Sequence, residues 1–389
     1  MTDLFTRAEE LNIRPFIVMD ILDRAKQLAA QGRDIIRMEI GEPDFDTPQQ
    51  ITDAAIKALE SGETRYSPSQ GILPLREAIA EKYHAEYGVD ISPDRIIITS
   101  GSSAAMTLLF SLTLAAGDEV LLTDPYYPCY PNFLKLYRAR PVFAKLHREN
   151  EFRVCPDDIA QALTPQTRAV ILASPANPTG QLVPDTVWQY LADSGLTIFA
   201  DEIYHGLVYG KKARSVLEFT DNAFVINGFS KLYAMTGWRL GYIIAPRKWI
   251  SLLNKGHQNF FIAANTFVQI AGLAALKNTK NEIESMVKTF HSRRDHLLRC
   301  LNSIGLPPGY IPDGAFYLLV NMGHINKDSL SLAQDMLEKA GVALAPGSDF
   351  GTQAQSYLRF SYSASEERIT EAVKRISQYM HNQHKMEIH

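Results

Sequence analysis

The residues best suited to chemistry fall within the stretch Asn227 to Tyr242, NGFSKLYAMTGWRLGY. An apolar run, Phe224-Val225-Ile226, feeds a turn of small residues in which Ser230 and Lys231 are adjacent, and Arg239 follows with glycines on both sides. A lysine amine condenses reversibly with a carbonyl to form a Schiff base when its surroundings keep part of it neutral. A neighbouring hydroxyl and a nearby arginine supply a donor and a fixed positive charge for a dianionic phosphate. The stretch therefore reads as a site for an aldehyde that carries a phosphate. A solvated loop lysine is the competing reading, and the elements around it must decide.

From Arg95 to about Pro246 short β-branched runs alternate with helices. Ile96 to Thr99 runs into Ser100-Gly101-Ser102-Ser103, and Glu119 to Leu122 leads to Asp124-Pro125-Tyr126-Tyr127. Arg168 to Ala173 precedes Asn177-Pro178-Thr179-Gly180, and Leu196 to Ala200 precedes Asp201-Glu202-Ile203-Tyr204. Runs that are apolar throughout and separated by helices predict a largely parallel sheet covered on both faces. In such a sheet ligands collect outside the carboxyl ends of the strands, which is where every polar group named here falls.

Each of these groups has a chemical and a structural reading. Ser102 and Ser103 open a helix whose backbone N–H groups form an anion site, and the same serines serve as an N-cap. Asp201, if buried, needs a cation or hydrogen bonds, and facing the ring nitrogen of a pyridine it would keep that nitrogen protonated, as an electron sink requires. Tyr204 and Asn177 could reach a phenolic oxygen on the same ring, although Asn-Pro-Thr-Gly is also an ordinary turn. Tyr127 offers a face for stacking, or packs in the core.

The flanking segments complete the expected architecture. Arg14 to Ala30 has helical spacing, Asp34 to Ile40 reads as a strand entering a turn at Gly41, and helices are expected over Pro48 to Ser61 and Pro74 to Tyr87. Phe260 to Leu276 is apolar but shorter than a membrane span and reads as one buried helix. Glu282 to Ser303 is a long helix with Arg293, Arg294 and Arg299 on polar faces, and His257 reads as a structural histidine. Strands are expected over Gly314 to Val320 and Tyr357 to Ser363, and the loop Ala345 to Gly351 could border the site.

The 389 residues, 46% hydrophobic and 21% charged, are enough for more than one core. A net charge of −4 without long single-sign runs implies no nucleic acid. Three cysteines without metal-ligand spacing imply free thiols in a reducing compartment and no metal. The polar start MTDLFTRAEE lacks the apolar region of a signal peptide, so a soluble cytoplasmic protein is expected.

Tyr66, Ser102-Ser103, Tyr127, Asn177-Pro178-Thr179-Gly180, Asp201-Glu202-Ile203-Tyr204, Ser230-Lys231, Arg239 and Arg359, in this order, resemble the class I/II aminotransferases, pyridoxal-phosphate enzymes of fold type I. The similarity runs from about Ile35 to the C-terminal helix. It implies an α/β fold: a large domain over 46–285 with a mostly parallel, seven-stranded-type sheet covered by helices, and a smaller α+β domain built from 1–45 with 286–389. It further implies that Lys231 holds pyridoxal 5′-phosphate and moves a proton as catalytic base, that Asp201 binds the ring N–H, and that Tyr204 and Asn177 bind the phenolic oxygen. Ser102, Ser103, Ser230 and Arg239 would hold the phosphate, joined by Tyr66 from a second subunit of a homodimer with shared sites. Tyr127 would stack on the ring, and Arg359, with Gly41 and Asn177, would bind the substrate α-carboxylate. Ser102 departs from the glycine that relatives often carry.

The implied function is transamination between an L-amino acid and a 2-oxo acid by a ping-pong mechanism. The alternative is another fold-type-I enzyme, such as a carbon–sulfur lyase, with the same cofactor contacts. A sensor domain attached to a DNA-binding module is disfavoured by the short N-terminal arm. No position matches the further basic residue that dicarboxylic-acid specialists use. Phe16, Ile17 and Val18 could line an entry for apolar or aromatic side chains, or pack in the core.

Overall fold

Strands rich in isoleucine, valine and leucine pair into one central sheet because side chains buried on both faces leave the backbone no partner but a neighbouring strand. The computed structural model describes residues 4 to 387. In chain order the strands are β1 (Ile36–Arg37), β2 (Ile96–Thr99), β3 (Glu119–Asp124), β4 (Arg140–Lys145), β5 (Thr167–Ala173), β6 (Thr197–Asp201), β7 (Ala223–Gly228), β8 (Gly241–Ile244), β9 (Tyr317–Asn321), β10 (Val342–Ala343), β11 (Ala345–Pro346) and β12 (Tyr357–Ser361).

The large sheet has the order β2-β8-β7-β6-β5-β3-β4. All neighbours are parallel except β8, which runs antiparallel to both β2 and β7. This reversal places the start of β8 on the same edge as the ends of the other strands, with Gly241 opposite both Thr99 and Gly228. Arg239, just before β8, thereby reaches the edge where Ser102, Asp201 and Lys231 emerge.

Helices cover both faces. Ser102–Thr113 and Arg247–Phe260 pack one face through Leu108, Leu109 and Leu253 against Ile97, Phe199 and Phe224. Gln49–Glu60, Leu73–Tyr87 and Thr266–Asn278 lie with the opposite face, through Ile51, Leu75 and Val268. Each such side chain removed from water contributes about 1.5–3 kcal/mol. A second sheet, antiparallel in the order β11-β12-β9, and the parallel pair β1-β10 accompany the helices Ile17–Ala30, Lys280–Ser303 and Glu366–Glu387. This is the expected α/β fold with a mostly parallel sheet and a smaller antiparallel one.

Several boundaries differ from the sequence reading. The first long helix begins at Ile17 rather than Arg14, because Pro15 disfavours helical backbone in the residue before it and Phe16 is extended. The strand expected over Asp34 to Ile40 shortens to β1. The apolar segment Phe260 to Leu276 is not one helix: one ends at Phe260, the next begins at Thr266, and Ile262 between them has φ of 66°. Arg293 and Arg294 are buried rather than exposed. Arg293 pairs with Asp44 at 2.6 Å and lies over the Phe45 ring, while Arg294 donates to the Pro312 carbonyl at 2.9 Å and lies over Tyr209. His257 is buried against the Ser69 hydroxyl, 3.3 Å away, and burial lowers its pKa, so it is a neutral structural side chain.

Candidate active site

The edge formed by the carboxyl ends of β2, β3, β5, β6 and β7 carries Ser102, Ser103, Tyr127, Asn177, Asp201, Tyr204, Ser230 and Lys231, which lie at or just beyond those ends, while Arg239 comes from the start of β8, Arg359 from β12 and Gly41 from the turn after β1. One cavity at this edge is lined by Gly41, Ser102, Ser103, Tyr127, Asn177, Asp201, Tyr204, Ser230, Lys231, Arg239 and Arg359. Tyr66 is the exception: its side chain is 84% exposed and lies outside this lining.

On one side the groups suit a phosphate. Gly101 caps the helix Ser102–Thr113 with φ of 87°, so the first-turn N–H groups and the hydroxyls of Ser102 and Ser103 open on the cavity. A Cβ at Gly101 would lie 2.4 Å from Nη2 of Arg239, so only glycine lets that guanidinium approach. Arg239 itself has φ of 55° and donates to the Thr236 carbonyl at 3.0 Å. A non-glycine residue in the left-handed region costs of order 1 kcal/mol or more, which the fold here tolerates to aim a charge.

At the centre Asp201 is buried. Its Oδ2 accepts from the Tyr130 hydroxyl at 2.6 Å and its Oδ1 from the Ile203 N–H at 3.2 Å. Burial raises its pKa, and these two donors with the nearby Lys231 charge pull it back. Neither hydrogen-bond donor is a cation, so the carboxylate retains a demand for positive charge from the cavity side. Behind it, Glu202 faces away and is held by Ser215, Tyr83 and the Val216 N–H at 2.8, 2.9 and 3.1 Å, while Asn227 donates to Tyr83 at 3.3 Å. Burial pushes Glu202 up to about 7, and the network braces the ends of β6 and β7 from which Asp201 and Lys231 project.

Lys231 donates to the Gly41 carbonyl at 2.6 Å. Burial first, then the charges of Arg359 and Arg239 against the opposing pull of Glu42 and Asp201, lower its pKa from 10.5 to about 8. A usable fraction of the amine is thus neutral near physiological pH.

Opposite it Arg359, 2% exposed, donates from Nη1 to Oδ1 of Asn177 at 2.9 Å and from Nη2 to the Glu39 carbonyl. Its plane lies between the rings of Tyr317 and Phe350, at 4.3 and 4.8 Å, while Nε is buried without a hydrogen-bond partner. A buried guanidinium with an unused N–H at a cavity is built for a carboxylate. The Tyr204 hydroxyl meets that of Tyr317 at 2.7 Å, and burial holds Tyr127, Tyr130 and Tyr204 well above the ordinary tyrosine pKa, as neutral donors.

The chain as a whole is similar to known proteins. Residues 33–376 match the model of the family described as aminotransferase class I and II. The chain belongs to the class I and II aminotransferases. The aminotransferase is 43% identical over 374 residues to a (5-formylfuran-3-yl)methyl phosphate transaminase of Methanocaldococcus jannaschii, covering 95% of this chain and 98% of that one. It is 37% identical to a probable aspartate/prephenate aminotransferase of Aquifex aeolicus, covering 94% and 96% of the two chains. Among solved structures it is similar to the Thermus thermophilus aspartate aminotransferase with maleate, at 35% identity and a TM-score of 0.91 over 97% of this chain and 100% of that one. Named transaminases across the full length make this chain an aminotransferase, and the carbon–sulfur lyase alternative is not favoured.

Tyr130 and Tyr317 escaped the sequence reading. Tyr130 stands close after Tyr127 and Tyr317 within an apolar strand, both in positions that ordinarily mean packing. Their contacts with Asp201 and Arg359 arise from partners distant in sequence, so no local pattern announces them.

Proposed function

We propose that the aminotransferase works with pyridoxal 5′-phosphate and that the residues gathered in the cavity hold the cofactor and its substrates, an L-amino acid and a 2-oxo acid. The observation that carries this is Lys231: one amine, its pKa lowered to about 8, set among Asp201, Arg239 and Arg359. The residues fit the cofactor. The helix start with Ser102, Ser103, Ser230 and Arg239 suits its phosphate. Asp201, without a cationic hydrogen-bond donor, suits a protonated ring nitrogen, Tyr204 and Asn177 its phenolic oxygen, and the Tyr127 face its ring.

When bound, the cofactor supplies an aldehyde carbon for the amino group and a protonated ring that draws electron density from the substrate's α-carbon. The chain's own residues do the rest. Arg359 binds the α-carboxylate and so orients the α-carbon, with Asn177 and the Gly41 backbone at hand. Lys231 takes the α-proton on Nζ and returns it, tethered in the cavity so that no diffusing base is needed. The bonds that Asp201 accepts from Tyr130 and Ile203 favour its charged form against the burial that raises its pKa.

Two tests follow. Visible absorbance of the purified protein should be lost on borohydride treatment, with the added mass on Lys231. Mixed with one amino acid and no oxo acid, the enzyme should release one 2-oxo acid per site and stop. Continued release would mean lyase chemistry and sink the reading.

The amine should also announce itself by pH. In cofactor-free protein, acylation of Lys231 read by mass spectrometry should rise with pH to a plateau with its midpoint near 8, because the neutral form is the nucleophile and its pKa is depressed from 10.5 to about 8. A midpoint of 10 or higher would contradict the arrangement.

The same proposal includes a homodimer in which the partner's Tyr66 reaches the phosphate, supported by the exposure of this tyrosine on its own protomer. It also includes a cytoplasmic location and a large domain over 46–285, with 1–45 and 286–389 forming the smaller one. Among the described residues no helix is long and apolar enough to cross a membrane.

A further inference from the structure

The helix Ile17–Ala30 has no N-cap from its own neighbourhood: Phe16 occupies the capping position and has no side chain to offer a bond. The cap comes from the other end of the chain. Asp349, buried in the short helical turn Gly347–Phe350, accepts from the Val18 N–H at 3.3 Å and is also bonded by the Ile17 N–H. A carboxylate at a helix N-terminus satisfies otherwise orphaned donors and meets the positive end of the dipole. Burial raises this carboxyl to about 6, with the two N–H groups and Arg359 lowering it and Asp20 raising it.

The turn that Asp349 grips is one that lines the cavity. Phe16, Val18 and Met19 line the active-site cavity together with Ile40. Phe16 stands edge-on to Tyr127 at 6.1 Å. Just upstream the chain is pinned to the helix Cys129–Leu136, where Asn132 exchanges bonds with the Arg14 N–H and carbonyl at 3.1 and 2.9 Å. The next residue after Asp349, Phe350, lies against the Arg359 guanidinium. The loop that caps the helix therefore also supports the arginine assigned to the α-carboxylate. On this protomer the cations lining the cavity are Lys231, Arg239 and Arg359, each already assigned, and the arm's own share of the wall, Phe16, Val18 and Met19, is apolar.

We propose that Asp349 is a positioning residue that fixes the arm over the cavity, so that Phe16, Val18 and Met19 select amino acids with apolar or aromatic side chains. This rests on the aminotransferase site described above and names its substrate class.

The test compares the wild-type holoenzyme with Asp349→Ala and Asp349→Asn. Single-turnover reactions use alanine, leucine, phenylalanine and aspartate, and hydrogen exchange follows the amides of the first arm-helix turn. The wild type should prefer phenylalanine and leucine to aspartate. Losing a cap of ordinary strength, Asp349→Ala should speed exchange at that turn about tenfold and cut the preference for phenylalanine over alanine by about the same factor, through KM rather than kcat. Alanine, too small to reach the arm, should lose far less than phenylalanine. Asp349→Asn keeps an acceptor and should retain most of the preference.

Unchanged exchange in Asp349→Ala, equal losses for alanine and phenylalanine, or a wild type that prefers aspartate would each overturn the proposal. If no amino acid reacts with the wild type, the functional reading fails on its own. The exchange rates still decide whether Asp349 holds the arm.

Discussion

Replacing Lys231 with alanine abolishes transamination, by at least about 10⁴-fold in kcat, since the side chain is both the general base and the covalent anchor and either role alone is worth 10²-fold or more. The protein remains folded. In the cavity the amine makes one bond, to the Gly41 carbonyl, and its pKa falls from 10.5 in the unfolded chain to about 8 in the fold. The sign follows from linkage: the unfolded chain binds this proton more tightly, so the charged amine costs stability below about pH 8 and the cost is relieved as pH rises towards 10.5. Removing the side chain at pH 7 therefore relieves an electrostatic penalty, and the truncated space opens on a solvent-reachable cavity rather than a dry core. Thermal unfolding of the cofactor-free variant at pH 7 should show a midpoint no lower than that of the cofactor-free wild type. Lys231→Arg should be as inactive as the alanine variant, because a guanidinium does not surrender its proton. Turnover surviving in either variant would remove Lys231 from the mechanism.

The parts of this molecule legible in the sequence are those whose cause is local. The ends of β2, β5 and β6 could be placed because uniformly apolar runs stop at Ser100, Ser174 and Asp201, and a strand covered on both faces has no other pattern. β4, from Arg140 to Lys145, gives no uniform apolar run because it is the edge of the sheet, with exposed charges at both ends and Ala144 alone fully buried between them. The reversal at β8 is likewise silent in its sequence, since Gly241–Ile244 is buried throughout and looks the same in either direction. The break between Phe260 and Thr266 leaves little mark in the sequence because Asn265 alone interrupts the apolar residues across it. Arg293 and Arg294 look like solvated charges until Asp44 and the Pro312 carbonyl, far away in the chain, are brought to them. Lys231 and Arg239 were legible as chemistry because glycines and a strand exit surround them, whereas Tyr130, Tyr317 and Asp349 act through partners on other elements.

Arg359→Ala should weaken every amino acid alike, because the guanidinium meets the α-carboxylate that all of them share. Truncating one member of a buried charged pair costs about 2–5 kcal/mol, which is roughly a 30-fold to several-thousand-fold loss in kcat/KM. Arg359→Lys should recover little of it. The arginine here is a plane between the Tyr317 and Phe350 rings, with one edge already committed to Asn177 and the Glu39 carbonyl, and its remaining N–H groups, including the unpartnered Nε, are left to form a two-point grip. A lysine ammonium is a point charge with neither the plane nor the fork. A primary amine without a carboxylate separates this role from general damage to the site: its slow reaction with the holoenzyme should proceed at the same rate in wild type and variant, whereas amino acids lose the full factor. If the amine is slowed as much as the amino acids, Arg359 supports the cavity rather than binding substrate. If only one class of side chain suffers, it reads the side chain and another group must hold the carboxylate.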